Sequence, residues 1–163
     1  MNNIYKSTNT DSSLSKQLKQ GFTLIELLVV ITIIGILTAL SIFGLNGARA
    51  SARDAKRKGD LEQVRSGIEI YKADCNVYPT SAQLVLSSAG SLVGSGSATC
   101  PANTYLTAKP LDPMTPTANY LYSSGGAAAY ELCAYLEGGS GSVTCGGSSA
   151  CGTKTCNYKV IQP

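Results

Sequence analysis

The chain has 163 residues, one domain's worth of protein, and a formal net charge of +3, too small to argue for a nucleic-acid partner. It has no histidine and no tryptophan, which excludes Ser-His-Asp and Cys-His catalysis, HExxH zinc proteases and every histidine metal site. No spacing of carboxylates, or of serine with lysine, suggests another catalytic site, so the chain reads as a non-enzyme without a cofactor.

Residues 1–21 are polar, and Lys6, Lys16 and Lys19 mark them as cytoplasmic. From Phe22 the chain turns apolar, and residues 27–45 run uncharged for 19 residues, enough to cross a bilayer as a helix. The one charge inside the apolar run is Glu26. A plain membrane anchor gives no reason for it, since a carboxylate costs roughly 2.5–3.5 kcal/mol at a helix centre, less near an end. A secretory signal peptide fits no better, although Ala48-Arg49-Ala50 resembles its cleavage site, because the apolar run is too long.

All six prolines lie at Pro79 or beyond, so nothing in residues 22–76 interrupts one helix, on the order of 80 Å long at 1.5 Å per residue. Residues 22–46 are its transmembrane part and residues 47–76 an amphipathic part. In the latter, Leu61, Val64, Ile68, Tyr71 and Cys75 form one apolar stripe that needs a cover. Asp54 with Lys58, Lys56 with Asp60 and Arg65 with Glu69 are spaced as i,i+4 ion pairs on the other faces. The helix should end near residues 75–77, because Pro79 disfavours helical geometry at Tyr78.

Residues 77–163 form a Gly- and Ser-rich head. The pattern predicts a short helix over 81–89 (SAQLVLSSA) and strands at 119–123 (NYLYS), 129–136 (AYELCAYL) and 157–161 (NYKVI), joined by Gly-rich connectors at 123–126 and 137–153. Its tyrosines read as packing groups rather than an adhesive surface. The fold class is therefore α+β: one long N-terminal helix packed against a small antiparallel sheet. The six cysteines, Cys75, Cys100, Cys133, Cys145, Cys151 and Cys156, read as a disulfide framework formed in an oxidising compartment. Their spacings are too wide for a zinc site built on C-x2-C pairs. Connectivity stays open: Cys145, Cys151 and Cys156 are close enough to share a bridge, and Cys75 could reach Cys100 or Cys133.

Residues 20–37, QGFTLIELLVVITIIGIL, resemble the N-terminal signature of type IV prepilins and the related pseudopilins. DLEQVRSGIEIYKADCNVYP (60–79), KPLDPMTPTANYLYSS (109–124) and AYELCAYLE (129–137) extend the resemblance into the helix end and the strands. It implies a pilin-like fold, cleavage by a prepilin peptidase between Gly21 and Phe22, loss of residues 1–21, and N-methylation of Phe22. It also gives Glu26 a purpose. In a filament of such helices, the new Phe22 amine of one subunit can meet the Glu26 carboxylate of a neighbour, and a neutralised pair is far cheaper in a low dielectric than two isolated charges.

The implied partners are further copies or relatives of the chain, the peptidase, an inner-membrane platform protein, a cytoplasmic motor ATPase, and membrane lipid before assembly. The implied place is the inner membrane as a single-pass precursor with its head outside, and then a surface or periplasmic filament. The count of flanking charges opposes this orientation, because Arg49, Arg53, Lys56, Arg57 and Lys58 follow the apolar run. The cysteines and the cleavage signature favour it.

The chain departs from the family in two places. Where many members have a proline midway along the membrane helix, it has Phe43 beside Gly44. The segment matching the calcium loop of type II secretion pseudopilins, LEGGSGSVTCGGSSACGTK (136–154), holds one acid, Glu137; calcium wants several oxygens, so no metal is expected and cysteines take over as the staple. The main expectation is a structural subunit of a type IV pilus-like filament. The alternatives are a pseudopilin of a type II secretion or competence system and, in another class, a secreted or membrane-anchored disulfide-rich binding module.

Overall fold

The computed structural model describes residues 21–125 and 128–162. The expected leader, Gly21 apart, lies outside the described residues. The chain divides into two compact units, residues 1–42 and 43–163, and helix α1, Leu24–Cys75, contributes to both.

In the first unit the large apolar side chains of α1 are exposed. The segment's own hydroxyls are satisfied along the helix. Thr32 Oγ1 donates to the Val29 carbonyl at 2.7 Å, Thr38 Oγ1 to Ile34 at 2.7 Å and Ser41 Oγ to Leu37 at 2.9 Å. A helix that bonds its hydroxyls to its own backbone and exposes mostly apolar side chains suits hydrocarbon. Among the described residues, α1 is the one helix long and apolar enough to cross a membrane.

In the second unit the rest of α1 carries the head. Leu61, Val64 and Ile68 are fully buried, with Tyr71 and Cys75 nearly so, and they pack with Leu84, Leu92, Leu106 and Leu132 in one core. Each large apolar side chain buried this way contributes about 1.5–3 kcal/mol before entropy is counted. At Gly67 an added Cβ would lie 2.6 Å from Leu106 Cδ2, so glycine is what lets the head close onto the helix there. The helix stops at Cys75 because Asn76 adopts a left-handed conformation (φ 59°) and donates its N–H to the Lys72 carbonyl at 2.9 Å.

The head's main sheet has the order β3-β4-β7, formed by Leu121–Ser124, Tyr130–Ala134 and Tyr158–Ile161, all antiparallel. Tyr122, Leu132 and Val160 stand opposite one another and face the core on α1. The alternate residue Cys133 belongs to a second buried cluster with Cys145, Cys151 and Cys156, flanked by Leu121, Tyr135 and Val143. The sheet is thus covered on both faces, by the helix on one and by packed disulfides on the other. Two hairpins complete the head: β1, Leu92–Val93, with β2, Thr104–Leu106, and β5, Ala150–Cys151, with β6, Lys154–Thr155.

Two sequence expectations fail. Residues 81–89 form turns, not a helix. Thr80 and Gln83 cap one turn reciprocally, Thr80 N–H reaching Gln83 Oε1 at 2.8 Å, but Leu84 and Leu86 are buried on either side of exposed Val85. That two-residue alternation cannot be met by a helix. None of the three i,i+4 ion pairs forms as spaced, because donors elsewhere take the acids. Asp54 pairs with Arg57 at 2.8 Å, Asp60 accepts the Tyr120 hydroxyl at 2.7 Å, and Glu69 accepts the Tyr130 hydroxyl at 2.7 Å. Arg65 turns to Glu62 at 3.3 Å. Exposed lysines offer these carboxylates little, whereas buried phenols need an acceptor. Burial first, then the hydrogen bonds to the Asp60 and Glu69 carboxylates, raise the pKa values of Tyr120 and Tyr130 well above the usual phenol value.

Candidate functional site

The chemistry foreseen for the N-terminus falls on Gly21, Phe22 and Glu26, and the structure brings these together. Residues 21–23 are not helical, Phe22 is exposed, and Gly21, Phe22, Thr23 and Glu26 line one open concavity. Thr23 is the residue that sequence reasoning missed. Its N–H reaches Glu26 Oε2 at 2.9 Å and its hydroxyl the same oxygen at 2.8 Å, while the Glu26 N–H returns to Thr23 Oγ1 at 3.3 Å. This is a capping box: two otherwise orphaned donors at the helix start are satisfied reciprocally. The spacing T-L-I-E before an apolar run was a readable signal for it. The box starts the helix just past the Gly21–Phe22 bond and folds the carboxylate back onto Thr23, in the concavity that Phe22 also lines.

A second polar centre lies in the head, around Arg57. This side chain is fully buried and reaches carboxylates from three stretches of chain. Nε and Nη2 bind the two Asp112 oxygens at 2.8 and 3.1 Å, and Nη1 binds Asp54 Oδ1 at 2.8 Å and Glu137 Oε1 at 3.0 Å. Arg53 clasps Glu137 from its other side, with both contacts at 2.6 Å. Asp54 in turn accepts the backbone N–H groups of Glu137 at 2.9 Å and Gly138 at 2.8 Å. Burial disfavours the Arg57 charge, but the bonds from Asp112, Glu137 and Asp54 outweigh it and raise its pKa. The Arg53 bond foremost, with Arg57 behind it, holds the Glu137 carboxyl down at about 2.

The disulfides join Cys75 to Cys100, Cys133 to Cys145, and Cys151 to Cys156. The first ties the end of α1 to the loop between β1 and β2, and the other two close the segment after β4. That segment does not fit a calcium ion. Its single carboxylate, Glu137, is already held by two guanidiniums, and among the described residues no group of three ligating side chains is placed to hold a metal.

An apolar, capped N-terminal helix whose continuation is the spine of a small antiparallel head defines a pilin-like subunit. Residues 16–42 match the prokaryotic N-terminal methylation motif, and residues 45–149 match the family described as type II secretion system (T2SS), protein G. The second match spans more than half of the chain, which therefore belongs to the type II secretion system protein G family. Among curated relatives, the type II secretion system core protein G of Aeromonas hydrophila is 39% identical over 70 residues, 43% of this chain and 49% of that protein. That of Escherichia coli K12 is 38% identical over 65 residues, 40% of this chain and 45% of the relative. That of Vibrio cholerae is 38% identical over 71 residues, 43% and 49% of the two chains. The chain spans about half the length of the curated relatives it matches. No solved structure matches it significantly. Of the sequence-based expectations, the relatives favour the pseudopilin alternative over the type IV pilus-like subunit put first.

Proposed function

We propose that the chain is a non-catalytic pseudopilin, a structural subunit of a type II secretion system, which a prepilin peptidase cuts between Gly21 and Phe22 and N-methylates at Phe22. In this reading residues 1–21 are the leader, 22–46 the membrane and filament-core segment, 47–76 the amphipathic helix and 77–163 the head. The precursor lies in the inner membrane with its head outside and assembles with other pseudopilins, a platform protein and a motor ATPase. Of the five basic residues whose count opposes this orientation, Arg53 and Arg57 are bound to carboxylates and Lys58 lies over the Tyr158 ring, which leaves Arg49 and Lys56 to rest beside headgroups.

The family match across residues 45–149 carries the reading, and the N-terminal geometry supports its mechanism. The Thr23–Glu26 box holds the carboxylate of the unassembled subunit on its own hydrogen-bond donors. On assembly, the charged Phe22 amine of a neighbour offers a stronger, charge-assisted partner. Glu26 then sets the register in which subunits add. The test is secretion in a host strain lacking this gene. The natural chain should restore export. Glu26→Ala should be cleaved as well as the natural chain yet restore little or nothing. Normal secretion by that variant would refute the role of Glu26, and surface filaments without any effect on secretion would return the pilus reading to first place.

A further inference from the structure

The head buries one complete cation that the assembly chemistry does not use. Arg57 is 0% exposed, and four carboxylate oxygens from Asp54, Asp112 and Glu137 lie 2.8–3.1 Å from its guanidinium nitrogens. Without that cation the three acids would repel one another, and burial would drive them toward their neutral forms. Several carboxylate oxygens converging on one positive centre is also the arrangement a hard divalent ion takes. In the natural chain no group of three ligating side chains among the described residues is placed to hold a metal, and the planar Arg57 fork itself lies between the acids, gripping Asp112 with two bonds.

We propose that Arg57 is a resident cation: it permanently fills an acidic site formed by Asp54, Asp112 and Glu137, a site that would accept a divalent cation such as Ca2+ if the side chain were removed. The segment after β4 is therefore fastened to α1 by the chain's own charge. Asp54, oriented by Arg57, holds the Glu137 and Gly138 amides, and Glu137 is clasped by both arginines. The only acid in residues 137–153 thus points back to the helix and is not offered to a soluble ion. A covalent cation is present at any metal concentration, so closure of the head needs no divalent ion. This inference does not rest on the pseudopilin reading, and its failure would leave that reading standing.

The test uses the full chain in detergent micelles, with thermal unfolding of the head followed by tyrosine fluorescence, in EDTA and in millimolar CaCl2. The natural chain should give the same Tm in both. Arg57→Ala should unfold roughly 10 °C or more lower in EDTA. It should regain part of that loss in CaCl2 but not in NaCl of equal ionic strength. If Arg57→Ala does not fold in EDTA, the readout becomes recovery of folded protein when it is refolded with CaCl2. Arg57→Met combined with Asp112→Asn, which removes the cation and one acid together, should fold better than Arg57→Ala and show no calcium response. A natural chain that gains stability from CaCl2 or loses it in EDTA overturns the proposal. So does an Arg57→Ala variant that calcium neither stabilises nor helps to refold.

Discussion

The membrane segment and the head solve opposite problems with the same helix. In residues 24–42 the hydroxyls and the Glu26 carboxylate are bonded to groups within four residues, and the large apolar side chains are exposed. In the head the reverse holds: its apolar stripe, phenols and arginines find partners far along the same chain. The first region is specified by few residues at close spacing along one helix. The second is specified by long-range complementarity. Substitutions in one should therefore leave the other's observable unmoved.

The largest effects on head stability should come from its two covers. Leu132→Ala removes a fully buried side chain from the face packed on α1 and should cost about 2–5 kcal/mol, seen as a lower denaturation midpoint with an unchanged denaturant slope. Leu37→Ala, on the exposed membrane segment, should leave that midpoint unaltered. Replacing both Cys133 and Cys145 by alanine uncovers the other face and frees a loop with a sequence separation of 12, at a cost of about 2–4 kcal/mol in the same assay.

Acid should dissect the arginine cluster. Glu137 titrates near 2 in the folded head against an ordinary 4.5, so its contribution is fully present above the ordinary value and fades as pH falls from there toward about 2. Asp54 and Glu131 are shifted in the same direction, Asp54 by the Gly138 and Glu137 amides and Arg57 against the cost of its burial, Glu131 chiefly by Lys159. The head's Tm should hold level from neutral pH to about 5 and then decline. Glu137→Gln should start lower and decline less steeply.

The smallest effect lies at the N-terminal cap. Thr23→Val should cost about 0.5–2 kcal/mol of local helix stability. It should appear as faster hydrogen exchange at the Glu26 and Leu27 amides in micelles while the head's Tm stays fixed. A shifted head Tm would show that the two regions are coupled and would break the comparison.

The same contrast governs what the sequence could disclose. The stripe from Leu61 to Cys75 and the strands around Tyr122, Leu132 and Val160 were readable because periodicity is a local property, fixed by the geometry of one element. Thr23 was readable in principle, as it stands three residues before Glu26. Arg57 was not. Its acids Asp112 and Glu137 are 55 and 80 residues away, and by spacing alone it is one more base in a basic run. The misassigned ion pairs have the same origin: a helix spacing reports which charges are near, but not which buried phenol elsewhere in the chain needs the acid more. Disulfide pairing is likewise a property of the closed head, and nothing in the cysteine spacing chooses among connectivities.

The most direct test of the central claim is the intact mass and N-terminal sequence of the protein recovered from its native membranes. Processing as a pseudopilin predicts an N-methylated Phe22 followed by TLIEL, with residues 1–21 gone. A chain that begins at Ser51, or one that retains Met1, would contradict it and return the protein to the class of secreted or anchored binding modules.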